Sequence, residues 1–372
     1  MALDIFKSVE KLNTDAETLS DGGLSNVSEW IDTGSYALNV ICSGRATRGI
    51  PKGRITGFSG PSGCGKSFFI NQIFGNFQKG GEDRIAVLFD SEAAADMNLS
   101  RNVGADPSRI KVFPVETVEE CKIQVVTLLD SIIANESAHG KVIIGIDSLG
   151  NLASKKELDD IAKGKSAADM GLRAKSLKSL MRTITYRAAK SNTTIVFSNH
   201  TYDDPAAMYP SMVKQQSGGK GPVYLASLLV QLSLTQEKLD GKKDSDKINP
   251  IANKVKGINM KAMTVKNRFA PPFLMTSLAL NFVTGLNKYS GLKEMLVGYG
   301  VIDQRGSVYD FGTRKLGYSS LWSKDVALWE HELIPALELA LEGQLNYNDQ
   351  SQPADDSLFE LHNDEPEDEL DD

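Results

Sequence analysis

Gly60-Pro61-Ser62-Gly63-Cys64-Gly65-Lys66-Ser67 fits the pattern G-x-x-x-x-G-K-[ST], the spacing of a loop that cradles phosphates. The chemistry accounts for the spacing. Glycines let the backbone turn tightly and aim successive N–H groups at phosphate oxygens, Lys66 brings a point charge to the β- and γ-phosphates, and Ser67 offers a hydroxyl to magnesium. The setting agrees with the motif. Upstream, Arg54-Ile55-Thr56-Gly57-Phe58 reads as a short strand. Downstream, Phe68-Phe69-Ile70-Asn71-Gln72-Ile73-Phe74 is apolar at helical spacing, so a helix would turn its positive end to the same anion. The bland alternative, a glycine-rich turn that binds nothing, does not ask for eight matching positions between a strand and a helix.

Outward from the loop, strands and helices alternate. Strands are expected over 54–58, 85–89, 142–146 and 194–198, and helices over 67–78, 117–134 and 168–190. This alternation predicts an α/β, P-loop NTPase core: a mixed, mainly parallel sheet flanked by helices. Beyond residue 220, strands over 228–234, 260–266 and 274–282 follow without long helices between them, which predicts an antiparallel extension of the sheet. The Lys/Asp/Gly-rich stretch 235–257 reads as a flexible excursion. The expected organisation is an N-terminal assembly segment (1–29), the ATPase core (30–288), a small α/β unit (289–345) and an acidic tail (346–372). In the small unit, helices are expected over 292–299 and 323–341, around a turn-rich 303–318.

Polar signals close four successive strands, at the edge where open α/β sheets bind ligands. They are the phosphate loop, Asp90-Ser91-Glu92, Asp147 and Asn199-His200. Asp147 reads as the carboxylate that supports magnesium beside Ser67, against a capping aspartate at a strand end. Glu92 is the candidate general base for a water facing the γ-phosphate, against a surface glutamate. His200 stands equally as a nucleotide sensor and as a satisfied core histidine. Residues 201–220 make a long loop holding Tyr202, Met208 and Tyr209 with Lys214, Gln215, Gln216, Gly218 and Gly219, a composition that suits single-stranded nucleic acid. Residues 155–190 carry ten cations, including Arg173, Lys175, Lys178 and Arg182, against four acids, a surplus that suits backbone phosphates.

The 372 residues are 41% hydrophobic and 24% charged, ordinary for a globular protein, and no apolar run reaches membrane-spanning length. Three cysteines at unrelated spacings form neither a disulfide framework nor a zinc site, and the N-terminus lacks a secretory pattern, so a cytoplasmic setting is expected. The net charge of −7 conceals a division: residues 353–372 hold ten acids and no Lys or Arg, and without them the rest of the chain is at +3. Such a tail is expected to be disordered. It reads either as a solubilising extension or as a polyanion that competes with nucleic acid for a basic surface.

The order of these signals, with Asp147-Ser148-Leu149-Gly150-Asn151-Leu152-Ala153-Ser154-Lys155-Lys156-Glu157 and Met170-Gly171-Leu172, resembles the RecA/Rad51 strand-exchange family, most of all its phage members, over about residues 30–340. The resemblance implies a RecA-like core with ATP and Mg2+ as ligands. By position, Glu92 matches the catalytic glutamate, Lys66 and the rest of the loop the triphosphate cradle, and Ser67 with Asp147 the magnesium site. His200 stands at the γ-phosphate sensor, where bacterial members usually carry glutamine. Lys266 and Arg268, in Val265-Lys266-Asn267-Arg268-Phe269, match cations that reach a neighbouring subunit's ATP, and Asp96 matches an adenine contact. The family's two DNA loops correspond to about residues 155–171 and 201–220, Met170, Lys178, Arg182, Ser217, Gly218 and Gly219 match positions that face DNA, and the C-terminal unit at 289–343 is similar in placement to the family's duplex-binding domain. The implied activity is a DNA-dependent ATPase that forms helical filaments on single-stranded DNA and exchanges strands with a homologous duplex. A recombination mediator and a single-strand-binding protein are further implied partners. Two other readings share the ATP residues: a ring-forming helicase or DNA motor on the same fold, and a nucleotide-gated DNA-binding scaffold.

Overall fold

The computed structural model describes residues 6–13, 15–16, 23–24, 26–164, 170–202, 212–235 and 257–345. The acidic tail, most of the 235–257 stretch, Met208 and Tyr209 lie outside the described residues. The elements that position the site are, in chain order, α1 (Tyr36–Ser43), β1 (Ile55–Gly60), α2 (Lys66–Gln78), β2 (Ile85–Asp90), β3 (Ile110–Pro114), α3 (Val118–Ile133), β4 (Val142–Asp147), α4 (Lys155–Ala162), α5 (Met170–Lys190), β5 (Thr194–Tyr202), β6 (Leu228–Thr235), β7 (Gly257–Asn267), β8 (Met275–Asn281) and β9 (Gly285–Leu286). Local sequence explains several of their limits. Thr117 caps α3 by accepting from the Glu120 N–H, with Glu119 and Glu120 in the first turn where the helix dipole favours acids. Ser154 and Glu157 close a reciprocal capping box on α4.

One sheet runs in the order β9-β8-β7-β6-β1-β5-β4-β2-β3, with the short strand Gln215–Gln216 pairing off the end of β5. From β6 to β3 every pairing is parallel, and from β6 out to β9 every pairing is antiparallel. The mixed, mainly parallel sheet and its antiparallel extension are thus as the sequence predicts. The near-continuous apolar run of β4 fits a strand covered on both faces. One face packs on α2 through Phe69, Ile70, Ile73, Phe74 and Phe77. The other packs on α3 and α5 through Val125, Leu129, Leu177, Leu180, Met181 and Ile184. Fully burying each such side chain contributes about 1.5–3 kcal/mol, which anchors the strand ends that carry the polar groups.

Three features depart from the sequence reading. β3 is an additional parallel strand at the sheet edge, with Val112 and Phe113 exposed; five residues ending in proline give a weak periodic signal. The turn-rich 303–318 is a three-stranded antiparallel meander, Asp303–Arg305, Val308–Phe311 and Arg314–Tyr318. The expected helix over 323–341 is broken: Asp325 caps a new start at Val326, and a π turn at Trp329–Leu333 precedes the helix Ile334–Ala340. The core of this C-terminal unit, including Leu292, Leu296, Trp329, Leu333 and Leu337, also takes in Ala37 and Val40 of α1. Glu330 ties the two by accepting from the Tyr36 hydroxyl at 2.6 Å and from the Tyr289 hydroxyl and the Lys288 ammonium, both at 2.5 Å. Among the described residues no helix is long and apolar enough to cross a membrane.

Candidate active site and nucleic-acid interface

Strand register gathers the polar signals at one edge. Gly60 pairs with His200, and Asp90 with Asp147. Between β1 and α2 the loop turns with left-handed backbone at Gly63 and Gly65, a conformation that costs glycine little. Gly65 caps α2 without any side chain, so no side chain of the cap occupies the first N–H groups of that helix. Lys66 is buried and folds its ammonium onto the carbonyls of Gly60 at 3.1 Å and Pro61 at 2.8 Å, the loop that a triphosphate would line. Pro61, Ser62 and Gly63 are exposed, whereas the Cys64 thiol is buried and packed against the backbone of the loop.

Ser67 and Ser198 both hydrogen-bond the Asp147 carboxylate. Burial raises the Asp147 pKa; these two hydroxyls oppose the rise, while Glu92 and Asp90 add to it. A buried carboxylate lifted by desolvation and by two neighbouring acids gains from a cation. Among the described residues no three histidines, cysteines or carboxylates cluster as an all-protein cage. Magnesium held by one hydroxyl, one nearby carboxylate and substrate phosphates needs no such cage. The donor set therefore fits magnesium-bound nucleoside triphosphate.

Glu92 follows β2 and is held by Asp90, whose two carboxylate oxygens accept from the N–H groups of Glu92 at 2.9 Å and Ala95 at 3.0 Å. The Glu92 carboxylate lies 3.3 Å from the Nε2 of His200. Both side chains are partly open to solvent, so the pair can meet water and a ligand. Of the two readings of His200, the buried core histidine does not fit this partly exposed position. Asp96, by contrast, caps the short helix Met97–Asn102 by accepting from the Asn98 N–H at 2.7 Å.

Lys266 and Arg268 are not brought to this site. Asn267 pairs with Leu228, and Leu228 with Thr56, so the end of β7 lies beside the start of β1. Thr56 is four residues from Gly60, or about 13 Å along a strand. There Lys266 donates to the Tyr224 carbonyl, and burial together with nearby Arg268 lowers its pKa to about 8. Arg54, also near Arg268, donates to the carbonyls of Leu24 and Asn26.

Of the positions expected to face DNA, Lys178 and Arg182 are exposed on α5, and Met170 opens that helix. Ser217 lies at the end of β5, its N–H donating to the His200 carbonyl at 3.0 Å and its own carbonyl accepting from Asn199 at 3.0 Å. Gly218 and Gly219 lie over Leu177 and Ala174 of α5. The basic stretch is less open than its composition suggests. Arg173 donates to backbone carbonyls and to the Ser217 hydroxyl, Arg187 pairs with Asp130 at 2.7 Å, and Lys190 pairs with Asp15 at 2.6 Å. The sequence reading assigned no roles to Asp90, Ser198 and Asn199. Asp90 had a readable signal, an Asx residue two positions before the candidate base; the contacts of Ser198 and Asn199 are set by strand register and had none.

The chain matches the RecA N-terminal domain family over residues 6–287. It is 32% identical over 265 residues to the recombination and repair protein of Enterobacteria phage T4, an alignment that covers 71% of this chain and 62% of the phage protein. It is 30% identical over 300 residues to the protein RecA of Chlorobium chlorochromatii, covering 80% of this chain and 77% of that one. To the protein RecA of Thermus aquaticus it is 30% identical over 288 residues, covering 77% of each. The chain thus spans somewhat less than two thirds of the phage relative and about three quarters of the bacterial ones.

Proposed function

The chain belongs to the RecA family, and from that premise we propose that it is a DNA-dependent ATPase of recombination, repair and recombination-dependent replication. It assembles as a helical filament on single-stranded DNA and exchanges strands with a homologous duplex. The observation that carries the reading is the approach of Glu92 to His200, 3.3 Å apart, at the edge of the phosphate loop. A carboxylate there takes the proton of an attacking water, and a histidine beside it senses the terminal phosphate through the strand that continues into the DNA loop. Lys66 and the loop N–H groups hold the triphosphate. Ser67 and Asp147 would hold magnesium, which would supply neutralisation of phosphate charge. Asp96 contributes on the adenine side.

The position of Lys266 and Arg268 supports assembly. Cations about 13 Å along the sheet from their own loop serve the loop of the next copy, so ATP is shared between protomers. A head-to-tail contact that does not close gives a helix. The exposed edge strand β3, with Val112 and Phe113 on its surface, and residues 1–29 add to that contact. DNA is gripped through its phosphates by Lys178, Arg182 and neighbouring lysines, and its bases rest on Met170 and the loop of Ser217, Gly218 and Gly219. Base pairing reads the sequence. The unit at 289–345 meets the incoming duplex, and the tail at 346–372 competes with DNA.

ATP turnover with and without single-stranded DNA, in the parent and in Lys66→Ala, tests the reading. DNA should stimulate the parent, and the variant should lose about 10²–10³-fold in turnover. A parent rate indifferent to DNA overturns the proposal. Closed rings rather than open filaments on DNA in electron microscopy would transfer it to a ring-forming motor.

A further inference from the structure

Arg173 belongs by composition to the cations expected to grip DNA, but its guanidinium faces inward. Nε donates to the Leu152 carbonyl at 2.6 Å, Nη2 to the Leu149 carbonyl at 3.2 Å and also to that of Gly150, and Nη1 to the Ser217 hydroxyl at 3.3 Å. Leu149, Gly150 and Leu152 lie in the turn just after Asp147 and Ser148. Ser217 belongs to the second candidate DNA loop, and Arg173 itself lies in the first turn of α5, where the first loop ends. On the function proposed above, we infer that Arg173 is the positioning residue that couples the nucleotide site to both DNA loops, by holding the 149–152 backbone against Ser217.

The contacts close a circuit. A Cβ on Gly150 would stand 2.8 Å from Cδ2 of His200 and 3.1 Å from Oδ1 of Asn199, so the backbone held by Arg173 lies directly against the sensor strand. That strand binds Ser217 from the other side, through the His200 carbonyl and the Asn199 amide. His200, Ser217, Arg173 and Gly150 therefore cannot move independently. A displacement of His200 by a terminal phosphate passes to Ser217 and, through Arg173, to α5, which carries Lys175, Lys178 and Arg182 at its exposed face. Only a planar fork with five donors reaches three carbonyls and a hydroxyl together; a lysine in its place offers one point of attachment. Composition hides this role, because a coupling arginine and a phosphate-gripping arginine are the same letter.

The test measures the affinity of a fluorescent oligothymidylate in magnesium-ATPγS and in magnesium-ADP, and takes the ratio of the two. The parent should discriminate. Arg173→Gln should lower the ratio by about tenfold, within the usual range of coupling between sites, and Arg173→Lys should not restore it. Ser217→Ala, which removes one contact of the circuit, should lower the ratio by a smaller factor of about three. A variant that melts earlier but keeps the parent ratio makes Arg173 a merely structural residue and overturns the inference. If Arg173→Gln does not fold, unchanged ratios in both Arg173→Lys and Ser217→Ala overturn it equally. A parent that binds DNA alike in both nucleotides overturns the proposed function and this inference together. A parent that discriminates beside variants that also discriminate overturns this inference alone.

Discussion

At the carboxyl edge of the central sheet, Asp90, Glu92 and Asp147 gather with hydroxyls and a histidine, and their hydrogen bonds are met within one chain. At the amino edge of the same sheet, Arg54, Lys266 and Arg268 gather, and Arg268 disfavours the charge of both its neighbours. Arg54 and Lys266 meet backbone carbonyls there rather than carboxylates. Among the described residues, one edge is a preorganised cradle with no cation beyond its lysine, and the other is a cation cluster paired with no carboxylate. A single copy cannot bring them together, because the length of β1 separates them. On the assembly proposed above, two copies stacked head to tail bring them together, with a shared triphosphate as the anion between them.

The strongest way to break this comparison is to disable the edges separately. Arg268→Ala with Lys266→Ala should cost about 10³-fold in DNA-stimulated ATP turnover, the scale of a cation supplied from a neighbour. Nucleotide binding by the dispersed protomer should persist. Mixing that double variant with Lys66→Ala should restore part of the activity, since one partner keeps an intact loop and the other intact cations. A mixture as inactive as its components would show that both edges serve the same copy. Glu92→Gln sharpens the comparison from the other side. It should lower turnover by about 10²-fold or more while leaving ATP-dependent assembly intact, because the amide still fits the cradle but accepts no proton. Loss of assembly in Glu92→Gln, seen by light scattering, would make Glu92 part of the contact between copies rather than the base.

The carboxyl edge was legible in the sequence because its chemistry is local. Eight contiguous residues define the phosphate loop, and buried strands such as 142–147 end on the carboxylates that matter. The amino edge was not legible from pattern. Two charges on a strand read as an ordinary solvated face, and only the antiparallel return of β7 brings Lys266 beside the start of β1. Resemblance to a family flagged these residues, and strand register shows that they lie away from their own phosphate loop. The same holds for Arg173, whose partners lie 21 to 44 positions away in the chain. The C-terminal meander escaped because strands of three to five residues between glycine turns look like turns.

The smallest effect is the most diagnostic for the amino edge. Burial and Arg268 lower the Lys266 pKa to about 8 in the single protomer. Between that pH and the ordinary lysine range the unfolded chain binds more protons at this position than the folded one, so this group's contribution to protomer stability rises with pH. Assembly has the opposite sign. A phosphate from the next copy favours the ammonium, so the contact takes up a proton and weakens as pH rises through about 8, by at most about tenfold per unit. Thermal melting and ATP-dependent assembly, followed together from about pH 7 to about pH 9, should therefore diverge, the protomer holding or gaining stability while the assembly loosens. Lys266→Arg, charged throughout, should flatten the assembly profile. If the parent and Lys266→Arg weaken in parallel across that range, Lys266 carries no proton into the contact, and the amino edge meets the triphosphate through Arg268 alone.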